Sequence, residues 1–140
     1  MDNNNWCNGC DNPAVCCTCP NANTKLLFVY GTLKRGYGNN RLLTNSEFVG
    51  EAVTTEKHAL YRNGIPYLKT QERVSKVYGE VYRVKEGPEL NRIDSLEGHP
   101  NWYRRTPIEV EVNDQTLQVE TYAYLPDVSG CTLVTDGKYV

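Results

Sequence analysis

From residue 24 onward, apolar side chains arrive in short runs separated by turn-forming residues, and strand periodicity predominates over helical periodicity. Leu26-Leu27-Phe28-Val29-Tyr30 is an unbroken apolar stretch ended by Gly31, the pattern of a central strand buried on both faces. Gly36, Gly38, Asn39 and Asn40 then mark a loop, and residues 41–47 fit a short helix that turns Leu42 and Leu43 inward. Short strands are expected at 48–55, 59–62 and 67–70, interrupted by Asn63-Gly64 and by Pro66. Over 75–84 the alternation is clearer: Val77, Gly79 and Val81 fall on one side, and Tyr78, Glu80, Tyr82 and Val84 on the other. Pro88 and Glu89 suit a first helical turn and Gly98 suits a stop, which predicts a helix over 88–97. Two alternating segments, 106–112 and 116–124, flank Asn113-Asp114-Gln115 and read as a hairpin. About six strands and two helices without regular alternation predict an α+β domain on a curled sheet or small barrel.

The first 23 residues lie outside this pattern. They are rich in Asn, Cys and Pro and lack apolar periodicity, so the chain divides into a tail, 1–23, and a domain, 24–140. At 140 residues and 39% hydrophobic content there is material for one core and not for two. A net charge of −2 provides no cationic field, which argues against a nucleic-acid partner and for a small neutral or zwitterionic ligand. No stretch approaches the roughly 20 apolar residues of a membrane span, and the N-terminus has neither the basic start nor the apolar run of a secretion signal. The expectation is a cytoplasmic protein, its oligomeric state unspecified.

Two constellations carry candidate chemistry. In Val29-Tyr30-Gly31-Thr32-Leu33-Lys34-Arg35-Gly36 a buried strand opens into a Gly-rich turn, whose successive N–H groups can point at a carboxylate or a carbonyl oxygen. The same string also reads as an ordinary strand end and surface loop. In the helix, Leu90, Asp94 and Glu97 share one stripe, so two carboxylates lie beside a leucine. Either that stripe faces water while Ile93 and Leu96 face the core, or it faces a site. Glu97 ends the helix, where the dipole and partial burial both raise a carboxyl pKa, making it a candidate base.

Taken in order, VYGTLKRG at 29–36, GEVYRV at 79–84, L-x-x-I-D-x-L-E-G at 90–98 and W-Y-R-R at 102–105 resemble the γ-glutamylcyclotransferase-like superfamily, and most of all its γ-glutamylamine cyclotransferase branch. The resemblance spans roughly residues 25–125. It implies a mixed β-barrel with flanking helices, a substrate loop formed by Tyr30, Gly31, Thr32 and Leu33, an essential glutamate at Glu97, and the family's aspartate at Asp94. It further implies a cyclotransferase that releases 5-oxoproline and a free amine, with no cofactor for catalysis. Tyr103 and Tyr124 are candidate pocket hydroxyls, with amphipathic wall packing as the competing reading. A non-catalytic module that binds a small molecule or peptide end on the same fold is the alternative function.

The cysteines of the tail depart from the family pattern. Cys7, Cys10, Cys16 and Cys19 have spacing compatible with a structural Zn²⁺ site; reversible capping of exposed thiols and an inert tail are the other readings. His58 and His99 have no motif around them and read as structural or surface residues.

Overall fold

A computed structural model of the chain describes residues 24–44, 46–99 and 101–139, together with the backbone of two short segments in the tail. Those segments, β1 (Trp6–Cys7) and β2 (Asn12–Pro13), pair antiparallel. The side chains of the candidate zinc ligands Cys7, Cys10, Cys16 and Cys19 lie outside the described residues. Among the described residues, no three His, Cys, Asp or Glu side chains are grouped to hold a metal, and no helix is long and apolar enough to cross a membrane.

The domain is a closed five-stranded barrel in the order β3-β7-β4-β8-β9. Its strands are β3 (Thr24–Val29), β4 (Glu47–Thr54), β7 (Tyr78–Lys85), β8 (Tyr103–Val112) and β9 (Gln115–Tyr124). Every pairing is antiparallel except β3 with β9, where Leu27 faces Glu120 and Phe28 faces Thr121 in parallel register. That closing pair makes the barrel mixed and leaves it without an open edge. Of the strands expected from the sequence, five close the barrel. The segments read as 59–62 and 67–70 become β5 (Ala59–Asn63) and β6 (Ile65–Lys69), a hairpin in a separate sheet with β10 (Thr132–Val134), which the sequence pattern had not indicated.

The apolar run of β3 is buried on both faces, as its composition predicts. Phe28 joins Ala52, Val81, Ile108, Val110 and Val119 in one cluster, while Leu27 and Val29 join Val84, Leu90 and Ile93 in another. Alternation along β3 therefore feeds two layers, and the second layer is the seat of helix α1 (Pro88–Glu97). Burying Leu90 and Ile93 there is worth about 1.5–3 kcal/mol each. The helix stops where expected: Gly98 adopts φ 69°, and the N–H of His99 donates to the Asp94 carbonyl, satisfying an end group that would otherwise be orphaned.

Three details differ from the sequence pattern. The helix expected at 41–47 is instead a 3-10 helix, Gly38–Leu43, with Leu43 buried and Leu42 partly so. It starts early because Asn39 and Asn40 direct their side chains into the preceding loop, onto Thr32 Oγ1 (2.9 Å) and the Leu33 carbonyl (2.8 Å). Pro66 lies inside β6 rather than before it, which is tolerable because β6 is an edge strand. The first hairpin strand begins three residues earlier than expected and the second one residue earlier, so Tyr103 pairs with Tyr124 across a turn in which Asn113 and Asp114 both have positive φ.

Gly79 is the tightest point of the barrel wall, since a Cβ there would fall 2.2 Å from the Val29 carbonyl oxygen. Gly79→Ala is expected to destabilise the domain by about 2–3 kcal/mol, read as a lowered denaturant midpoint. An unchanged midpoint would mean that β3 and β7 are not this close.

Candidate active site

A cavity of about 170 Å³ opens where β3 leaves the barrel. One wall is the strand end and turn, Phe28 to Leu33; a second is Leu96 and Glu97 of α1; a third is Ile65 and Pro66 of the β5–β6 hairpin; Tyr103 and Tyr122 of β8 and β9 complete it. The turn closes against the hairpin because residue 31 has no side chain: a Cβ on Gly31 would lie 2.3 Å from Pro66 Cγ. Here glycine is required by proximity.

The turn is held from behind. The Arg35 N–H donates to Glu80 Oε1 (3.0 Å), the Lys34 N–H to the Gly31 carbonyl (3.0 Å), and the Asn39 N–H to the Thr32 carbonyl (3.1 Å). Tyr82 donates to Glu80 Oε1 (3.2 Å) and accepts from Asn40 Nδ2 (3.1 Å). The amides of Gly31, Thr32 and Leu33 donate to no group among the described residues, and all three residues line the cavity. Consecutive free N–H groups at a rigid turn form a ready acceptor site for an anion or a polarised carbonyl.

Facing them is Glu97. No hydrogen bond or ion pair reaches its carboxylate from a described residue, and no lysine, arginine or histidine lines the cavity. Withdrawal from water with nothing to offset it raises the Glu97 carboxyl from 4.5 to about 7. The cause is burial, one of the two influences expected from the sequence. Leu96, on the other face of the helix end, is exposed rather than in the core, which settles the orientation of the stripe: Leu90, Asp94 and Glu97 face inward.

Asp94 does not line the cavity. Its Oδ1 accepts from Arg105 Nε (3.0 Å) and from the Tyr122 hydroxyl (2.5 Å), clamping the last turn of α1 to β8 and β9. Tyr124 also stands behind the wall, its ring 4.9 Å from that of Tyr103 and 4.2 Å from that of Tyr67. Tyr30, Gly31, Thr32, Leu33, Glu97 and Tyr103 are thus brought together, while Asp94 and Tyr124 support them from outside. Sequence reasoning missed Tyr122, Asn39, Ile65, Pro66 and Leu96. Tyr122 was accessible in principle, lying two residues from Tyr124 on the same strand face; the hairpin residues have no local signal, because their role depends on a non-local approach.

Comparisons with known proteins support the fold. A family model described as gamma-glutamyl cyclotransferase, AIG2-like, matches residues 27–140, and the chain belongs to that family. It is 43% identical over 114 residues to a protein of Methanocaldococcus jannaschii provisionally named a gamma-glutamylcyclotransferase, covering 81% of this chain and 93% of the relative. Over 107 residues it is 36% identical to the gamma-glutamylaminecyclotransferase of Bos taurus, covering 70% of this chain and 63% of that protein. Among solved structures, an AIG2-like protein of Mus musculus superposes with a TM-score of 0.70 at 30% identity, over 84% of this chain and 88% of the other. Gamma-glutamyl cyclotransferase activity is therefore the class of chemistry to which the chain is assigned.

The Glu97 shift has a consequence for stability. The unfolded carboxyl loses its proton near 4.5 and the folded one near 7, so the native state holds the proton more tightly. Folding is thus penalised progressively as pH rises from 4.5 to 7, and by a constant amount above that, on the order of 3 kcal/mol. Glu97→Gln removes the ionisation and is expected to melt at a higher temperature than the parent at pH 8, with the gain shrinking toward pH 4.5. A variant that melts no higher at pH 8 would show that the carboxylate is solvated.

Proposed function

We propose that the protein cleaves a γ-glutamyl amide by attack of the substrate's own α-amine on its γ-carbonyl, releasing 5-oxoproline and a free amine. The observation that carries this reading is the pairing of one partly buried, unpaired carboxylate, Glu97, with the free amides of Gly31, Thr32 and Leu33 across one cavity. The nucleophile is tethered to its electrophile at five-ring distance, so the site must fold the chain, take a proton and stabilise an oxyanion.

The proton and bond balance is simple. Glu97 removes one proton from the α-ammonium, and the resulting amine forms the new C–N bond. The γ-oxygen becomes an oxyanion facing the turn amides. Collapse breaks the bond to the departing nitrogen. Of the three ammonium protons, one remains on the lactam nitrogen and two leave on the amine, which departs as an ammonium; Glu97 carries them one at a time. A carboxyl that titrates near 7 is suited to both taking and returning a proton at neutral pH, a contribution of typically 10²–10⁴ in rate.

The α-carboxylate of a γ-glutamyl group fits the same turn, and the enclosed cavity fits the glutamyl part, with the leaving amine directed past Ile65 and Leu96 toward solvent. Those two residues are apolar and exposed, which favours γ-glutamylamines with an aliphatic stem, the branch that the sequence resembles. Incubation with γ-glutamyl-ε-lysine, γ-glutamyl alkylamines and γ-glutamyl-alanine, followed by detection of 5-oxoproline, tests the reading. Product is expected from at least one of these, with kcat reduced at least hundredfold in Glu97→Gln. Equal turnover by parent and variant would contradict the assignment of Glu97, and no 5-oxoproline from any of the substrates would contradict the reaction.

A further inference from the structure

Three tyrosines line the cavity, and the structure shows where each hydroxyl spends its single proton. Tyr30 donates to the Tyr122 carbonyl (2.5 Å), and the Leu68 backbone lies beside its oxygen. That buried hydroxyl is committed to the surrounding strand backbone, tying the end of β3 to β9. Tyr122 donates to Asp94 Oδ1 (2.5 Å) within the field of the Arg105 guanidinium, an unfavourable neighbour for a second cation. Tyr103 donates to the Pro66 carbonyl (2.7 Å), itself part of the cavity wall. No described group donates to the Tyr103 oxygen. Its proton is committed and its lone pairs are not, so toward the cavity it acts only as an acceptor.

The Glu97 carboxylate lines the same cavity as that oxygen. Among the influences raising the Tyr103 hydroxyl above the usual phenol range, Glu97 comes directly after burial; for Tyr122 it is the weakest of those resolved. A carboxylate and an acceptor-only phenol sharing a cavity without a cation form a site for a multi-donor cation.

We propose that Tyr103 is the second acceptor for the substrate's α-ammonium, its phenol oxygen taking one N–H while Glu97 takes another. This rests on the cyclisation reading above and specifies how that site selects and aims its nucleophile. When Glu97 removes its proton, the amine keeps the N–H to Tyr103, which restrains rotation and leaves the new lone pair directed at the γ-carbonyl. Because the Tyr103 proton is held on Pro66, the phenol does not donate to that lone pair, a bond that would block attack. The site thereby requires a free primary α-amine: an N-acylated analogue keeps a single N–H for two acceptors and an α-deamino analogue has none, leaving at least one desolvated oxygen without a partner.

The test is a binding comparison of L-glutamate, which has the α-ammonium, with glutarate, which lacks it, for the parent protein and Tyr103→Phe. Phenylalanine keeps the ring packed against Tyr124 and removes only the oxygen. The parent is expected to bind L-glutamate at least tenfold tighter than glutarate. In Tyr103→Phe, L-glutamate should weaken by roughly ten- to hundredfold, the range for a hydrogen bond to a charged group, with glutarate unchanged. The KM for a γ-glutamyl amide should rise in parallel. If both ligands weaken equally, or neither does, the role is packing alone and the inference is overturned. Should Tyr103→Phe not fold, the parent protein still decides: equal affinity for the two ligands overturns the inference. Loss of the L-glutamate preference in a protein that still forms 5-oxoproline leaves the cyclisation reading intact, whereas a preserved preference without any 5-oxoproline from the parent removes that reading and leaves the ammonium cradle.

Discussion

Asp94 holds the end of α1 to the barrel through one oxygen, which accepts from Arg105 and Tyr122 together, and the position of the Glu97 carboxylate depends on that clamp. Arg105 reaches on to Glu120 at 2.9 Å, and Lys25 approaches the same carboxylate at 3.9 Å, so the clamp is anchored in both strands of the parallel closing pair, β3 and β9. The ion pair between Arg105 and Asp94 is largely sheltered, and its value lies in geometry as much as in energy. It fixes the last helical turn, and with it the one side chain whose desolvation is not offset. The cost of burying Glu97 is met by the packing of Leu90 and Ile93 beneath the same helix and by this clamp. Stability is thus given up at one residue, and under the proposed function that residue is a base whose pKa suits neutral pH.

The opposite side of the cavity is constructed on the same principle. Glu80 is a buried carboxylate, yet it is satisfied by the Arg35 N–H, the Arg35 guanidinium and the Tyr82 hydroxyl. Two glutamates therefore occupy contrasting environments within one domain: Glu80 is supplied with donors and holds the turn in shape, while Glu97 lacks them and is held ready for a proton. Because Glu80, Asn39 and Asn40 keep the turn from collapsing onto its own amides, the N–H groups of residues 31–33 stay available. Preorganised donors of this kind cost little reorganisation when charge develops on a carbonyl oxygen.

Much of this was legible from local pattern. The β3 run announced a strand buried on both faces, Pro88 and Gly98 bracketed α1 to the residue, and the i, i+4, i+7 spacing put Asp94 and Glu97 on one stripe. Spacing alone did not say which way the stripe faced; the burial of Leu90 beside the exposure of Leu96 supplies that. Long-range placement was not legible. Pro66 looked like a strand breaker, and only the edge position of β6 explains both its tolerance there and its contact with Gly31. The division of labour among Tyr30, Tyr103 and Tyr122 is equally invisible in a chain with ten tyrosines, because it is set by which carbonyl or carboxylate receives each proton.

The central claim is that the carboxyl of residue 97 is desolvated and titrates near neutrality in the resting protein. A side-chain carboxyl ¹³C NMR titration of glutamate-labelled protein, with the resonance assigned by its absence from Glu97→Gln, measures this directly. The account predicts an apparent pKa of about 7 for that carbon. A value near 4.5, the ordinary position of an exposed glutamate, would contradict it.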